Sequence, residues 1–403
     1  MKKYWIITFG CQMNKSDSER IAAKLEKKKY VPASKIDEAD LIVVNMCSVR
    51  QSAVDRVYGL IPQLTKLKTK NYKPKTVLTG CIIKYDFKKF KDKFNYILPK
   101  KDLSYSKIRP KYKSQFSVYI PVVIGCNNFC SYCVVPYTRG PEISRPAKEI
   151  LEEIKYLVKE NYKEIWLVGE NVNSYKSNKK NFSQLLKQID KIPGKFWIRF
   201  ISCHPKDFSQ ELIKTIKQGK KITPYISLPV QSGDNQILKK MNRPYTVKKY
   251  KELVKKIRKN IPDVNLSTDV IVGFPGETKK QFQNTVKLFR EIEFDIAYIS
   301  QYSPRPGTAA FKLKDTVSLK EKQRRDKALT EVLKKTALKN NKKYIGKIVE
   351  VLPEYERKSW IIGKTREYKT IKFQSRESSL IGEFVKVKVI NAIPWGLKGE
   401  LIK

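Results

Sequence analysis

Over the first 110 positions, short runs of branched and aromatic residues alternate with amphipathic stretches. YWIITF (4–9), LIVVNM (41–46) and KTVLTG (75–80) read as strands, and SERIAAKLEKKKY (18–30) and about 52–67 as helices. Such alternation builds a parallel sheet. Each strand run leads into a cysteine: TFGC ends at Cys11, VNMC at Cys47 and LTGC at Cys81. In an open parallel sheet the carboxyl ends of the strands share the edge where ligands bind. Three thiols 36 and 34 residues apart in sequence can therefore converge. Three ordinary buried cysteines would give the same pattern.

After a polar, Tyr-rich linker the alternation restarts near Lys113, longer and more regular. Strands are expected at SVYIPVVI, EIWLVG, FWIRFI, YISLPV, LSTDVIVGF and DIAYISQY, with helices at about 147–161, 182–190, 206–218, 246–260, 278–292 and 318–340. Pro146 suits a first helical turn, and Thr278 reads as part of an N-cap. Six such units predict an incomplete relative of the eight-unit barrel, with its chemistry at the C-terminal strand ends. Beyond about Lys343 the period changes to two: GKIVEVL, KSWIIGKT, KTIKFQS, EFVKVKVINA and LKGELI follow without helices, which predicts a small closed barrel. The fold class is thus α/β with a small all-β end. The expected domains are 1–112, a parallel α/β sheet; 113–340, a partial (β/α)6 barrel; and 341–403, the small barrel.

Charge adds a partner class. Lys plus Arg number 84 against 39 acidic residues, a net charge of +45 spread along the chain, which attracts polyanions such as nucleic acid. Solvated surface lysines alone would also produce it. No apolar run approaches the roughly 20 residues of a membrane span, and no isolated basic amphipathic helix suggests a membrane surface. The start MKKYWIITFGC reads as a first strand, not a signal peptide. Seven cysteines, an odd number, point to metal or redox chemistry in a reducing cytoplasm rather than to disulfides.

Cys126, Cys130 and Cys133 form CNNFCSYC directly after the first barrel strand. Thiolates at this spacing can ligate three irons of a cubic cluster, leaving the fourth iron open to another ligand. Zinc wants four closed ligands or three plus water. His204, the single histidine, lies far away in sequence, although zinc stays an alternative at this point.

CxxxCxxC on a six-unit barrel resembles the radical S-adenosylmethionine enzymes, and GCNNFCSYCVVPYTRG resembles their methylthiotransferase branch. FGCQMNKSDSE, NMCSVRQSAVDR, LVGENVNSY, LPVQSGDNQILKKMNRPYT, STDVIVGFPGET and YSPRPGTAA are similar to family signatures, in the family's order and over essentially the whole chain. Within the branch, FGCQMN and CSVR resemble the type acting on N6-isopentenyladenosine of tRNA. The resemblance implies two 4Fe-4S clusters, a radical-generating one on Cys126, Cys130 and Cys133 and an auxiliary one on Cys11, Cys47 and Cys81. S-adenosylmethionine would serve as radical source and methyl donor. Reductive cleavage would give a 5′-deoxyadenosyl radical, and a methylthio group would be added at adenine carbon 2. Tyr132, Gly169, Glu170 and Asp269 are implied to bind the cofactor. No acid–base catalytic residue is assigned. The tRNA anticodon stem-loop and an unidentified electron donor are the implied partners, and a monomer is expected.

Several residues carry a plainer reading beside this one. Glu170 stands where the family often has Gln, and serves equally as a surface cap. Asp269 lies in an apolar strand, where an unpaired carboxylate is costly, and suits a structural hydrogen bond. GFPGET lacks the Lys of a phosphate loop and reads as a tight turn. His204 is left unassigned, and Cys203 reads as a small buried residue. Met46, where the family often has Thr, Ser227, where it often has His, and a shortened C-terminal barrel are further departures. That barrel resembles a TRAM domain, and Arg357, Lys358, Trp360, Lys364, Arg366, Tyr368, Lys372 and Phe373 are its basic and aromatic candidates for RNA. Deleting it is expected to leave both clusters and cofactor cleavage largely intact. Competing functions are the same chemistry on threonylcarbamoyl adenosine or on a ribosomal protein, and a non-catalytic iron-sulfur protein that binds RNA or senses redox state.

Overall fold

The computed structural model describes residues 1–68, 73–99, 109–375 and 378–402, so part of the predicted linker, 100–108, lies outside the described residues. The first domain is a five-stranded parallel sheet of β1 (Lys3–Phe9), β2 (Val31–Pro32), β3 (Leu41–Cys47), β4 (Lys75–Cys81) and β5 (Tyr96–Pro99), in the order β2-β1-β3-β4-β5. Helices α1 (Gln12–Lys27), α2 (Gln51–Lys68) and α3 (Lys84–Phe90) connect the strands. Residues 42–47 of β3 are all buried, as a parallel strand covered on both faces requires. The edge strands β2 and β5 escape the sequence pattern: one has two residues, and both end in proline.

The middle domain holds β6 (Ser117–Pro121), β7 (Glu164–Val168), β8 (Trp197–Phe200), β9 (Tyr225–Ser227), β10 (Asn265–Val272) and β11 (Ile296–Gln301). These pair in parallel in that order, with a bridge between Ile198 and Ile222 joining the two halves. Between β6 and β7 come α4 (Val135–Arg139) and α5 (Ala147–Lys159). Then follow α6 (Phe182–Asp190), α7 (Gln210–Gln218), α8 (Asn235–Lys240), α9 (Val247–Asn260), α10 (Lys279–Ile292) and α11 (Leu319–Lys342). Outward-facing Ile165, Leu167, Ile198, Phe200, Leu266 and Val270 form the main core with these helices. The alternate, inward positions carry Trp166, Arg199, Tyr225, Asp269 and Tyr298, so the interior is aromatic and polar. At the edge strand β6, Ser16 of α1 donates to the Tyr119 carbonyl at 2.9 Å, and Met13 packs with Trp166, Val168 and Tyr225.

The third domain closes β12 (Ile348–Arg357), β13 (Trp360–Thr365), β14 (Thr370–Gln374), β15 (Val385–Ile393) and β16 (Gly396–Leu401) into a barrel in the order β12-β13-β14-β16-β15. Its β13–β14 loop seals the N-terminal ends of the middle domain's strands. Fully buried Arg199 pairs with Glu164 at 2.5 Å and donates to the Thr365 and Arg366 carbonyls at 2.9 and 2.8 Å. Asn265 donates to the Glu367 carbonyl, Lys369 pairs with Asp295 at 2.6 Å, and the Tyr368 ring packs against Trp166 and Tyr225. This changes the expectation for RNA contacts. Tyr368 faces the other domain's core, Phe373 is in the small barrel's own core, and Arg366 donates to the Lys220 and Ile222 carbonyls. Lys364 donates to Thr370 and lies over the Tyr368 ring. Trp360 keeps Lys372 and Lys398 over its ring. Among the described residues, no helix is long and apolar enough to cross a membrane.

Candidate functional site

Cys47 and Cys81 end adjacent strands in direct register, and Cys11 caps the N-terminus of α1 beside them. Two glycines make the convergence possible. Gly80 has φ +107°, and a Cβ there would lie 2.2 Å from the Met46 carbonyl oxygen; a Cβ on Gly10 would lie 2.5 Å from the Asn14 side chain. Asn14 and Asn45 lock the arrangement: Asn14 Nδ2 donates to Asn45 Oδ1 at 3.0 Å, and Asn45 Nδ2 donates back to the Asn14 carbonyl at 2.8 Å. Cys47 lies between Cys11 and Cys81 and interacts with both. Interaction with Cys47, aided by the charge of Arg139, pulls the Cys11 thiol down to about 6, while Cys47 is pushed well up.

Cys126, Cys130 and Cys133 lie on the loop after β6. Gly125, at φ +75°, makes the entry turn, and a Cβ there would meet the Pro141 carbonyl at 2.1 Å. The turn after α8 clamps this loop: Ser131 donates to the Lys240 carbonyl at 2.7 Å and Asn242 to that of Phe129 at 2.9 Å. Three groups point donors at the thiols. Asn128 Nδ2 reaches Cys126 at 3.3 Å, Arg243 Nη1 reaches Cys130 at 3.5 Å, and the Val135 amide reaches Cys133 at 3.5 Å. Burial pushes the Cys133 thiol up to about 12.

Arg139, 2% exposed in its side chain, ends α4, the helix that follows Cys133, and reaches the other thiol set at Cys81. Its Nε lies 3.0 Å from Cys81 Sγ and 2.9 Å from Glu170, and Nη2 pairs with Asp17 at 3.1 Å. Glu170, read from sequence as a ligand for an ammonium group, thus holds an arginine here. Gly169 has no room for a side chain, since a Cβ would lie 2.8 Å from the Val123 carbonyl. Tyr132 packs with the cluster of Ile237, Met241, Phe274 and Tyr302. Burial raises the Asp269 carboxyl to about 6, against the charges of Arg50 and Arg243. His204 is structural as positioned: it is buried, its Nδ1 accepts from the Lys206 amide at 3.2 Å, and burial lowers it to about 2. Cys203 is buried, and its thiol is pushed up by burial. GFPGET is a turn in which Glu277 accepts from the Gly273 amide and from Arg325.

Among the described residues, no three His, Cys, Asp or Glu side chains are arranged to hold a single metal ion. The donor chemistry fits iron-sulfur clusters: each set offers three thiols and no other ligand type, with arginine or amide donors aimed at the sulfurs. Sequence reasoning assigned no role to Arg139, Arg243 or Arg305. Arg305 reaches into the first domain to pair with Asp86 at 2.9 Å, and Asp86 also accepts from Ser48 beside Cys47. Each of the three stands in a quoted motif, YTRG, NRPYT or SPRPG, and a lone arginine in such a small, apolar context is the available signal.

Three family descriptions match the chain: "Uncharacterized protein family UPF0004" over residues 3–98, "Radical SAM superfamily" over 120–289 and "TRAM domain" over 336–402. The chain is similar to the tRNA-2-methylthio-N(6)-dimethylallyladenosine synthase of Clostridium botulinum strain Langeland, at 42% identity covering 99% of this chain and 97% of that one. It is also similar to the enzyme of that name from Dictyoglomus thermophilum, at 38% identity covering 100% and 99%. Among solved structures, the radical S-adenosylmethionine methyltransferase TsrM of Kitasatospora setae shares the fold, with a TM-score of 0.54 at 13% identity, covering 77% of this chain and 75% of that one. With its domains in the order expected from sequence and its whole length aligned to these relatives, the chain belongs to the tRNA-2-methylthio-N(6)-dimethylallyladenosine synthase family of radical S-adenosylmethionine enzymes.

Proposed function

We propose that this chain adds a methylthio group to carbon 2 of N6-isopentenyladenosine, the dimethylallyl-bearing base beside the anticodon of tRNA. One observation carries the reading at the level of the site: of two sets of three thiols, one receives a donor at Cys81 from Arg139, which stands on α4, the helix that directly follows Cys133 of the other. Cys126, Cys130 and Cys133 would hold the radical-generating 4Fe-4S cluster, and Tyr132, Gly169, Glu170 and Asp269 would serve S-adenosylmethionine, Glu170 while paired with Arg139. Cys11, Cys47 and Cys81 would hold a second 4Fe-4S cluster. When bound, these groups supply the one-electron chemistry that breaks an unreactive C–H bond, the sulfur and the methyl group.

The chain's own residues position and insulate. Arg139 donates to Cys81 Sγ at 3.0 Å and pairs with Glu170 at 2.9 Å, which ties the two together. Arg243 donates to Cys130 while Tyr245 and the Pro229 carbonyl hold its other nitrogens at 2.8 and 3.0 Å. Trp166, Tyr225 and Tyr368 fill the barrel behind the site and keep water from it. Asp269, near half-protonation at about pH 6, supplies a hydrogen-bond acceptor for a hydroxyl or ammonium. The working units in this proposal are 1–112, 113–340 and 341–403, acting as a monomer in the cytoplasm with an external electron donor.

Two measurements test it. Anaerobically reconstituted protein should bind about eight irons. Replacing Cys126, Cys130 and Cys133 by Ala should leave about four irons and abolish S-adenosylmethionine cleavage, whereas replacing Cys11, Cys47 and Cys81 should leave about four with cleavage retained and no thiolation. Mass spectrometry of nucleosides after incubation with tRNA should show methylthiolation only where the isopentenyl group is present. Product only on threonylcarbamoyl adenosine would overturn the substrate assignment.

A further inference from the structure

Along β11 runs a cleft of about 300 Å³ to which all three domains contribute. Arg50 lines it from the first domain, Tyr298 and the α11 residues Thr330 and Leu333 from the second, and Trp395 from the third. Tyr298 also faces the barrel interior. It pairs in register with Asp269, whose side chain shares that face. The cleft therefore borders the chamber in which the target base must react.

Trp395 is set out for contact. It lies at the tip of the β15–β16 hairpin, and Asn341 of α11 fixes that tip by donating to the Ile393 and Pro394 carbonyls at 2.8 and 3.2 Å. Trp395 is nonetheless 52% exposed, and Tyr298, which lines the same cleft, is 46% exposed. The cleft's one carboxylate, Asp326, already accepts from Gln301 at 3.1 Å and Thr330 at 3.4 Å, so two half-exposed aromatics beside Arg50, in a chain of charge +45, suit an anionic ligand with flat apolar faces. An adenosine that enters a barrel must first leave the loop's base stack. Its neighbour then loses a stacking partner, and a rigid aromatic at the chamber's edge supplies a new one.

We propose that this cleft seats the unpaired base next to the target adenosine, stacked on Trp395, with Arg50 on its phosphate. The proposal rests on the tRNA-modifying reading above, and its failure would leave that reading standing. The probe is a synthetic anticodon stem-loop whose target position carries isopentenyladenosine, binding to reconstituted full-length protein by fluorescence anisotropy. Trp395→Ala should weaken binding about 5- to 150-fold, the range for loss of one base–aromatic stack, and Trp395→Phe should recover most of it. Because stacking releases no counterions, Trp395→Ala should leave the slope of log affinity against log salt unchanged, whereas Arg50→Ala should flatten it by roughly 0.7 to 0.9.

A stem-loop made abasic at one of the two positions flanking the target should lose the same factor on the unaltered protein, and nothing further on Trp395→Ala. Trp395→Ala binding within twofold of the unaltered protein would overturn the proposal. So would equal further losses from the abasic site on both proteins, since the base would then be seated elsewhere. If the unaltered protein failed to bind the stem-loop at all, the tRNA reading itself would fall.

Discussion

Replacing Arg199 by Met tests whether the third domain is the floor of the radical barrel. Methionine keeps an unbranched stem but removes every donor. In the native protein Arg199 is fully buried, and its guanidinium serves four acceptors: Glu164, Thr223 and the carbonyls of Thr365 and Arg366. Removing one partner of a buried pair costs about 3–5 kcal/mol, because the other charge stays behind uncompensated. Glu164 retains the Ser117 hydroxyl and the Trp166 Nε1–H, both at 2.7 Å, which places the loss near the lower end, about 3 kcal/mol. For a unit of this size that corresponds to a fall of about 6–12 °C in melting temperature. Scanning calorimetry of anaerobic protein reads the transition of the middle domain. The double variant Arg199→Met with Glu164→Gln leaves no unpaired charge at this position and should recover at least half of the loss. A fall below 2 °C for Arg199→Met, or a double variant worse than the sum of its parts, would refute the argument. The same contacts revise the expectation that residues 341–403 are dispensable for the clusters. Their deletion withdraws Tyr368 from Trp166 and Tyr225 and leaves Asp295 without Lys369, so the truncated chain should lose iron and aggregate.

Asp269→Asn should raise the melting temperature of ligand-free protein above pH 6 and have little effect below pH 4. The folded carboxyl is raised to about 6, so the native state holds the extra proton and stability falls as pH climbs through that window; parallel pH profiles of the two proteins would contradict this. His204 behaves oppositely. Its folded value of about 2 means that the stability it contributes is present above the unfolded value near 6.5 and lost as pH falls, so His204→Asn should flatten the decline between pH 7 and 5 in thermal melts. Gly80→Ala places a Cβ against the Met46 carbonyl at a positive φ, and should remove the iron held by Cys11, Cys47 and Cys81 while leaving the other set loaded. Iron analysis that finds both sets full would show the sheet end to be more yielding than its geometry indicates.

The sequence by itself determined the elements, the architecture and the cysteines. Period-2 and period-3.6 patterns depend on local burial alone, so helices read at 182–190 and 278–292 appear at Phe182–Asp190 and Lys279–Ile292. Thiols at strand ends are legible because a parallel sheet puts all its carboxyl ends on one edge. Elements of a few residues, such as β2 and α4, carry too little periodicity to be seen. What faces what across domains was decided only by the tertiary structure. Arg139, Arg199 and Arg305 are buried because acidic and carbonyl partners arrive from segments remote in sequence, and pairing over such separations leaves no local pattern. For the same reason Tyr368 and Trp395 look equivalent in the sequence of a small basic barrel. Docking of the barrel onto the strand ends turns the first inward against Trp166 and leaves the second at the mouth of the cleft.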